Sequence, residues 1–144
     1  MDELMYGRVL VPLENSAADR TVLAHVRELA RIHDSSLVFI HVADGWAARH
    51  IHTLVLRESE EMQRDRDYIE EICRSFVASG FQAEAVLAAG DPAAEIAAAA
   101  AREECDLIAM STHGHRFFGD LIHGSVATTV RHLTTVPVLM VRAS

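Results

Sequence analysis

The stretch "RVLVPLENSAADRTVLAHVRELARIHDSSLVFIHV", Arg8 to Val42, contains two short apolar runs on either side of an amphipathic segment. The first run, Arg8 to Leu13, is apolar after its arginine and is followed by turn-forming residues. This pattern is typical of a strand that is buried on both faces. The second run, Ser36 to Val42, has the same character. The stretch therefore predicts two neighbouring strands of a parallel sheet.

The segment between these strands predicts a helix over Ala17 to His33. Its apolar residues recur mostly at helical spacing, and Ser16 or Asn15 precedes it as a candidate N-cap. A helix that joins two buried strands is the usual crossover of a parallel sheet. The stretch is therefore interpreted as one strand-helix-strand unit.

The rest of the chain continues this alternation. The further predicted elements are a long charged helix with an apolar stripe at Met62, Ile69, Ile72, Cys73 and Phe76, a strand at Phe81–Ala88, a helix that starts at Pro92 with Asp91 as its N-cap, a strand at Cys105–Ser111, a helix at Val126–Leu133 and a strand at Val136–Arg142. This order predicts an α/β fold: an open, Rossmann-like sheet of five parallel strands with helices on both faces.

Length and charge exclude several classes of protein. The 144 residues fit a single domain, residues 1–144. The formal net charge of −8 argues against nucleic acid as the main partner, because duplex binding needs a concentrated basic face. All 13 basic residues are arginine. The absence of lysine excludes a Walker-type phosphate loop, a Schiff-base lysine and the kinase lysine.

We expect a soluble, cytoplasmic protein with no membrane partner. The first residues carry acids where a signal peptide needs a basic start, and no apolar run approaches the ~20 residues of a membrane span. Cys73 and Cys105 form no Cys-x-x-Cys pair and lie in amphipathic stretches. We interpret both as small core residues, which fits a reducing compartment.

The stretch "STHGHRFFGDLIHGS", Ser111 to Ser125, is rich in glycine and histidine and holds a single acid. Because Gly124 precedes a predicted helix, the N–H groups of Ser125 and Val126 are candidate anion donors. Further candidate contacts to a phosphate come from residues earlier in the loop: Gly114, Arg116, His113, His115 and His123. The alternative is a turn at Gly124 and a helix cap at Ser125, with no ligand.

Several motifs in the chain appear in the order in which the universal stress protein family has them. They are "VLVPLENS", "GDPAAEI", "DLIAMSTHG", a spaced "GS" and a final "VPVLMVR". The nucleotide-binding branch of that family carries Gly-x-x-Gly, nine residues, then Gly-Ser or Gly-Thr. Here Ser111 replaces the first glycine, whereas Gly114, Gly124 and Ser125 match. The whole chain thus resembles a single-domain universal stress protein.

The resemblance implies binding of ATP, or of ADP or AMP, with Mg²⁺ or Mn²⁺ as a possible companion of the phosphates. By position in the family's motifs, the ribose would lie near Met110 and Ser111, and the adenine would lie between Val42, Pro12 and Leu13. The phosphates would contact Gly114, Gly124, Ser125 and Val126, next to the loop donors His115 and Arg116. Glu14 stands where the family usually has aspartate and would reach a ribose hydroxyl or a metal. The Cβ of Ser111 would narrow the site.

Other sites have weaker support. A metal site at His50 and His52, or at His113 and His115, lacks a clear third ligand. Trp46 would cover a base or fill a hydrophobic gap. No Gly-x-Gly or Gly-x-Ser-x-Gly occurs, so the dinucleotide fingerprint and the hydrolase nucleophile elbow are missing, and no catalytic residue is assigned.

Three hypotheses on function follow: a nucleotide-binding regulatory module of the stress response, a nucleotide-free interaction protein of the same fold, and a weak ATP hydrolase. We also predict a homodimer. Pro137 lacks the N–H that a central strand needs, which places the last strand at a sheet edge. In the resembled family this strand pairs with its twin, so the interface is expected at Val136–Arg142.

Overall fold

The computed structural model describes residues 5–44, 51–112 and 125–143, and it contains nine elements within them. In chain order they are β1 Arg8–Pro12, α1 Asp19–His33, β2 Ser36–Asp44, α2 Ile51–Ala78, β3 Gln82–Gly90, α3 Pro92–Arg102, β4 Leu107–Thr112, α4 Ser125–Leu133 and β5 Val138–Arg142. The predicted order of strands and helices is confirmed. Element ends differ from the prediction by about two residues, because propensity defines ends weakly.

The five strands form one parallel sheet in the order β3-β2-β1-β4-β5. Central β1 places Leu10 opposite Val38 on one side and Ile108 on the other. β5 pairs with β4 at the sheet edge, as expected from Pro137. That proline precedes the strand, and its carbonyl accepts the Ile108 N–H at 3.0 Å.

Side chains of the central strands alternate between two buried layers, since successive residues point to opposite faces. Val9 and Val11 face α1 and α2, in a cluster with Val22 and Ile69. On the other face, Leu10 joins a cluster that contains residues of α3 and α4. Both β1 faces are fully buried, which explains the continuous apolar run in the sequence.

The predicted start of α1 is wrong. The helix begins at Asp19, and its N-cap Ala18 makes no side-chain cap hydrogen bond. The Ser16 hydroxyl instead accepts the Ala18 N–H at 3.2 Å, which forms a turn just before the helix. The predicted start of α3 is confirmed, with Pro92 in the first turn and Asp91 accepting the Ala94 N–H at 3.0 Å.

Cys105 is buried in the α3/α4 cluster, and half-buried Cys73 packs against the α1/α2 cluster; both are free thiols. Their interpretation as core residues is confirmed. Burial raises the pKa of Cys105 to about 11, so this thiol is a weak nucleophile. Within the described residues, no helix combines the length and the apolar character needed to cross a membrane.

Candidate functional site

The order of strands reverses between β1 and β4, and this reversal determines where a crevice opens. The chain leaves β1 toward β2 on one side, whereas β4 and β5 lie on the other side. Loops that leave the two central strands therefore diverge, and open α/β sheets bind ligands there. We call the space between Leu13–Ala18 and Ser111–Thr112 the switch crevice.

One wall of the switch crevice is apolar. Met110 is buried in the α3/α4 cluster, and partly buried Val42 and Val126 pack against that cluster. Pro12 follows Leu10 by two residues and shares its side of the sheet. The structure thus brings Pro12, Val42 and Met110 to one face of the sheet, with Val126 of the first turn of α4 packed against the same cluster.

Two further predicted residues, Leu13 and Glu14, follow β1 directly. The side chain of Leu13 is only 3% exposed and belongs to the α1/α2 cluster. Its N–H donates to Ile40 at 2.8 Å and its carbonyl is 2.9 Å from His41 Nδ1. The Leu13 side chain therefore faces away from the apolar wall, and its backbone N–H and carbonyl are both held by β2. Exposed Glu14 accepts a hydrogen bond from the Ser16 hydroxyl at 3.2 Å.

Ser111 joins the two sides of the crevice. Its hydroxyl donates to the Ala18 carbonyl at 3.2 Å, so the end of β4 is tied to the residue before α1. A glycine at this position has no side chain to make that bond. The departure from the family pattern therefore has a structural consequence at the crevice.

Most of the predicted phosphate contacts lie outside the described residues. They are Gly114, His115, Arg116 and Gly124, together with His113 and His123; Trp46 and His50 fall outside as well. Ser125 begins α4, which continues through Val126. In the part of the chain that the structure describes, no group of three or more histidine, cysteine, aspartate or glutamate residues is arranged to hold a metal ion.

Asp19, which is not among the predicted site residues, organises the loop after β1. Its side chain is 1% exposed. The carboxylate accepts the N–H groups of Glu14 at 2.9 Å, Asn15 at 2.9 Å and Ser16 at 3.4 Å. A buried carboxylate needs such donors to offset lost hydration. The three bonds hold the backbone of the loop in one conformation.

Tyr68 of α2 gives Asp19 a fourth donor, with its hydroxyl 2.7 Å from Oδ2. Burial is the main cause that raises the pKa of Tyr68 well above its usual range, and the hydrogen bond to the Asp19 carboxylate raises it further. The hydroxyl thus stays protonated and continues to donate. A sequence signal existed for both residues, because Asp19 shares the stripe of Val22 and Val26, and Tyr68 is next to Ile69.

His41 links the same loop to α2 from the other side. Its Nδ1 lies 2.9 Å from the Leu13 carbonyl and its Nε2 lies 3.0 Å from Oδ2 of Asp65. The other oxygen of Asp65 accepts the side-chain N–H of Asn15 at 3.0 Å. Asn15 adopts a positive φ of 62°, which asparagine tolerates better than most residues. These contacts give His41 a structural role between β2, the loop after β1 and α2.

Comparisons with known proteins agree with this architecture. The universal stress protein family matches residues 5–142. Universal stress protein MJ0577 of Methanocaldococcus jannaschii is 26% identical over an alignment of 156 positions, gaps included, that covers 96% of each chain. The solved structure of MJ0577 superposes with a TM-score of 0.85 at 24% identity, over 97% of this chain and 98% of that one.

Two other similar structures contain an adenine nucleotide. The universal stress protein of Archaeoglobus fulgidus in complex with dAMP has a TM-score of 0.70 at 18% identity, over 95% of this chain and 98% of that one. A universal stress protein in complex with cAMP has a TM-score of 0.65 at 21% identity, over 97% and 99% of the two chains. At these identities the likeness shows the shared fold.

Proposed function

Because the chain belongs to the universal stress protein family, we propose that it binds an adenine nucleotide in the switch crevice and acts as a regulatory module of the stress response. The observation that carries the proposal is the reversal of strand order between β1 and β4, with an apolar wall beside it. Ligands of open parallel sheets occupy that position. Relatives of the same fold hold dAMP and cAMP.

The described residues suit the base and the ribose. Val42 and Pro12 provide an apolar surface for an adenine ring, and Met110 on the same wall would lie near the ribose. Glu14 stands at the mouth of the crevice, where a carboxylate suits a ribose hydroxyl or a Mg²⁺ or Mn²⁺ ion on the phosphates. The nucleotide proposed is ATP, with ADP and AMP as candidates of the same chemistry.

The phosphates are assigned to the N-terminus of α4 and the loop before it. The backbone N–H groups of Ser125 and Val126 belong to the first turn, where donors lack partners within the helix. Gly114, His115, Arg116 and Gly124 complete the proposed phosphate site. No side chain is proposed as a catalytic nucleophile or base, so slow hydrolysis or none is expected.

Calorimetric titration with ATP and Mg²⁺ tests the proposal. We expect saturable binding by the unmodified protein and loss of binding in Gly124→Val, because a β-branched side chain would block the approach of an anion to the helix. Arg116→Ala should weaken binding less, since the backbone donors remain. Circular dichroism checks folding of each variant. Absence of binding at millimolar ATP in the folded, unmodified protein would overturn the proposal.

A second candidate function is a nucleotide-free interaction module, and the Ser111 contact favours it. The bond from Ser111 to the Ala18 carbonyl places a side chain between the two central loops. If that contact closes the crevice, Ser111→Gly should create ATP binding that the unmodified protein lacks. If the crevice is open, Ser111→Gly should leave the affinity unchanged or tighten it. Denaturing the purified protein and analysing released small molecules separates the two functions independently.

We also propose that the protein is a homodimer formed through Val136–Arg142. β5 is an edge strand, and Met140 on it is 41% exposed. Apolar edges of sheets are usually covered, and a twofold axis lets one strand pair with its own copy. The proposed interface on β5 does not include the switch crevice, which lies at the carboxyl end of the sheet.

A further inference from the structure

His41 lies between two groups that only accept hydrogen bonds. The Leu13 carbonyl is 2.9 Å from Nδ1, and an Asp65 carboxylate oxygen is 3.0 Å from Nε2. The side chains of His41 and Asp65 are 12% and 21% exposed, so water competes weakly for these contacts. Both distances are within hydrogen-bonding range.

This arrangement selects a protonation state of the ring. An imidazolium has two N–H donors, one for each acceptor, whereas a neutral ring has one donor and one lone pair. In the neutral form, one ring nitrogen would direct its lone pair at an acceptor oxygen. Only the protonated ring satisfies both contacts at once.

Both contacts hold the loop that follows β1. His41 binds Leu13 directly, and Asp65 binds the side chain of Asn15 at 3.0 Å. Glu14 lies between these two residues in the chain. His41 and Asp65 therefore hold the two ends of the segment Leu13–Asn15, which contains residues proposed to contact the base and the ribose.

We propose that His41 and Asp65 form a proton-dependent latch that positions Leu13–Asn15 for nucleotide binding. The proposal rests on the proposed function, since the ligand of the segment is the adenine nucleotide. His41 and Asp65 are positioning residues, because they act through the loop backbone and through Asn15. The protonated latch holds the loop, and the neutral ring releases one of its two contacts.

Titratable groups lie on the elements around the ring. α2 contributes Asp65 in direct contact and Tyr68, whose raised pKa keeps it neutral. The loop and α1 contribute Glu14 and buried Asp19, which accepts three loop N–H groups. On β3, the residue opposite His41 is Leu87.

The sign of the pH dependence follows from these contacts. Loss of the ring proton breaks one of the two loop contacts. Nucleotide affinity should therefore fall as the pH rises. The loss of one hydrogen bond corresponds to about two- to tenfold in the dissociation constant.

Asp65→Asn is the decisive variant. The neutral His41 ring then donates from Nδ1 to Leu13 and accepts at Nε2 from the asparagine amide, while the amide oxygen still accepts from Asn15. All three contacts survive without the proton. The pH profile of affinity should become flat or should invert. A purely structural contact would lower affinity equally at every pH.

The experiment measures ATP and adenosine affinity from pH 5.5 to pH 8 in wild type, Asp65→Asn and His41→Gln. Adenosine is included because the phosphates of ATP also attract protonated His113, His115 and His123, whose titration would produce the same trend. His25→Gln removes an exposed histidine of α1 and should preserve the wild-type profile. Profiles of wild type and Asp65→Asn that run parallel for both ligands would overturn the proposal.

A measurement without nucleotide separates this proposal from the proposed function. In NMR spectra of the ligand-free protein, titration of the His41 ring should shift the backbone amide of Asn15 in wild type and much less in Asp65→Asn. If wild type shows this coupling but binds neither ATP nor adenosine, the proposed function is wrong, whereas control of the loop conformation by His41 and Asp65 is supported. If the Asn15 amide does not follow the ring, the latch is wrong.

Discussion

At the scale of single residues, buried polar groups define the loop after β1. Asp19 lies in the apolar stripe of α1 and accepts three backbone N–H groups from residues 14–16 and the Tyr68 hydroxyl. Each donor would be costly to bury without an acceptor. The carboxylate thus allows the chain to turn sharply between β1 and α1 against an apolar core.

Tyr68→Phe should change how stability depends on alkaline pH. In the folded protein the pKa of Tyr68 is raised by burial and by its hydrogen bond to Asp19, whereas a tyrosine in the unfolded chain has a pKa of about 10. The contribution of Tyr68 is therefore complete below about pH 10 and decreases above it, because the unfolded state then loses the proton first. Phenylalanine removes both the bond and this decrease.

Urea unfolding at pH 8 and pH 11 measures the effect. At pH 8 the variant should be less stable by about 1–2 kcal/mol, as expected for one hydrogen bond to a charged group that keeps its other donors. At pH 11 the difference should shrink. Ionisation of Cys73 and Cys105 affects both proteins alike. A difference that is the same at both pH values would contradict the prediction.

At the scale of elements, the turn from β3 into α3 depends on a glycine. Gly90 has a φ of +141°, and a Cβ added there would lie 2.8 Å from Oε1 of Glu95. Residues with side chains rarely adopt this backbone conformation. Asp91 then caps the helix, so one short turn ends the strand and starts the helix.

Gly90→Ala should destabilise the fold by about 1–3 kcal/mol, mostly through backbone strain, because the Glu95 side chain can rotate away. Gly80→Ala is the matched control, with a φ of +97° and no atom within 4 Å of the added Cβ. Combining Gly90→Ala with Glu95→Ala should recover only the small part due to crowding. Thermal unfolding of the four proteins gives the comparison, and full recovery in the double variant would contradict the strain argument.

At the scale of the whole molecule, the two edges of the sheet differ. β3 packs under α2, whereas β5 at the other edge carries exposed Met140 and half-buried Val138. The proposed dimer would cover β5. In such a dimer, a residue of β5 lies near the same residue of the other subunit. A single substitution that adds a charge to β5 therefore places two like charges at the interface.

Met140→Glu should convert the proposed dimer into a monomer, because two carboxylates would be buried near each other. Light scattering during size exclusion at micromolar concentration measures the mass. Val77→Glu, which places the same charge on an exposed residue of α2, should leave the dimer intact. A monomer mass for wild type would overturn the dimer proposal.

The alternation of apolar runs and amphipathic segments determined the fold, because parallel strands buried on both faces need apolar residues at every position. The same local logic predicted the Asp91 cap and the edge position of β5 from single residues. It also located the ends of the strands that carry Pro12, Val42 and Met110, whereas the assignment of these residues to a nucleotide site came from the family resemblance.

Only the tertiary structure decided which distant residues meet. Asp19 and Tyr68 are 49 positions apart, and Ser111 reaches Ala18 across 93 positions. Pattern reasoning assigned the helix cap to Ser16 or Asn15, because capping is local in sequence, whereas the actual acceptor for the loop is a carboxylate inside the helix. Such contacts depend on how α1, α2 and β4 pack around the core, and spacing along one element carries no information about that packing.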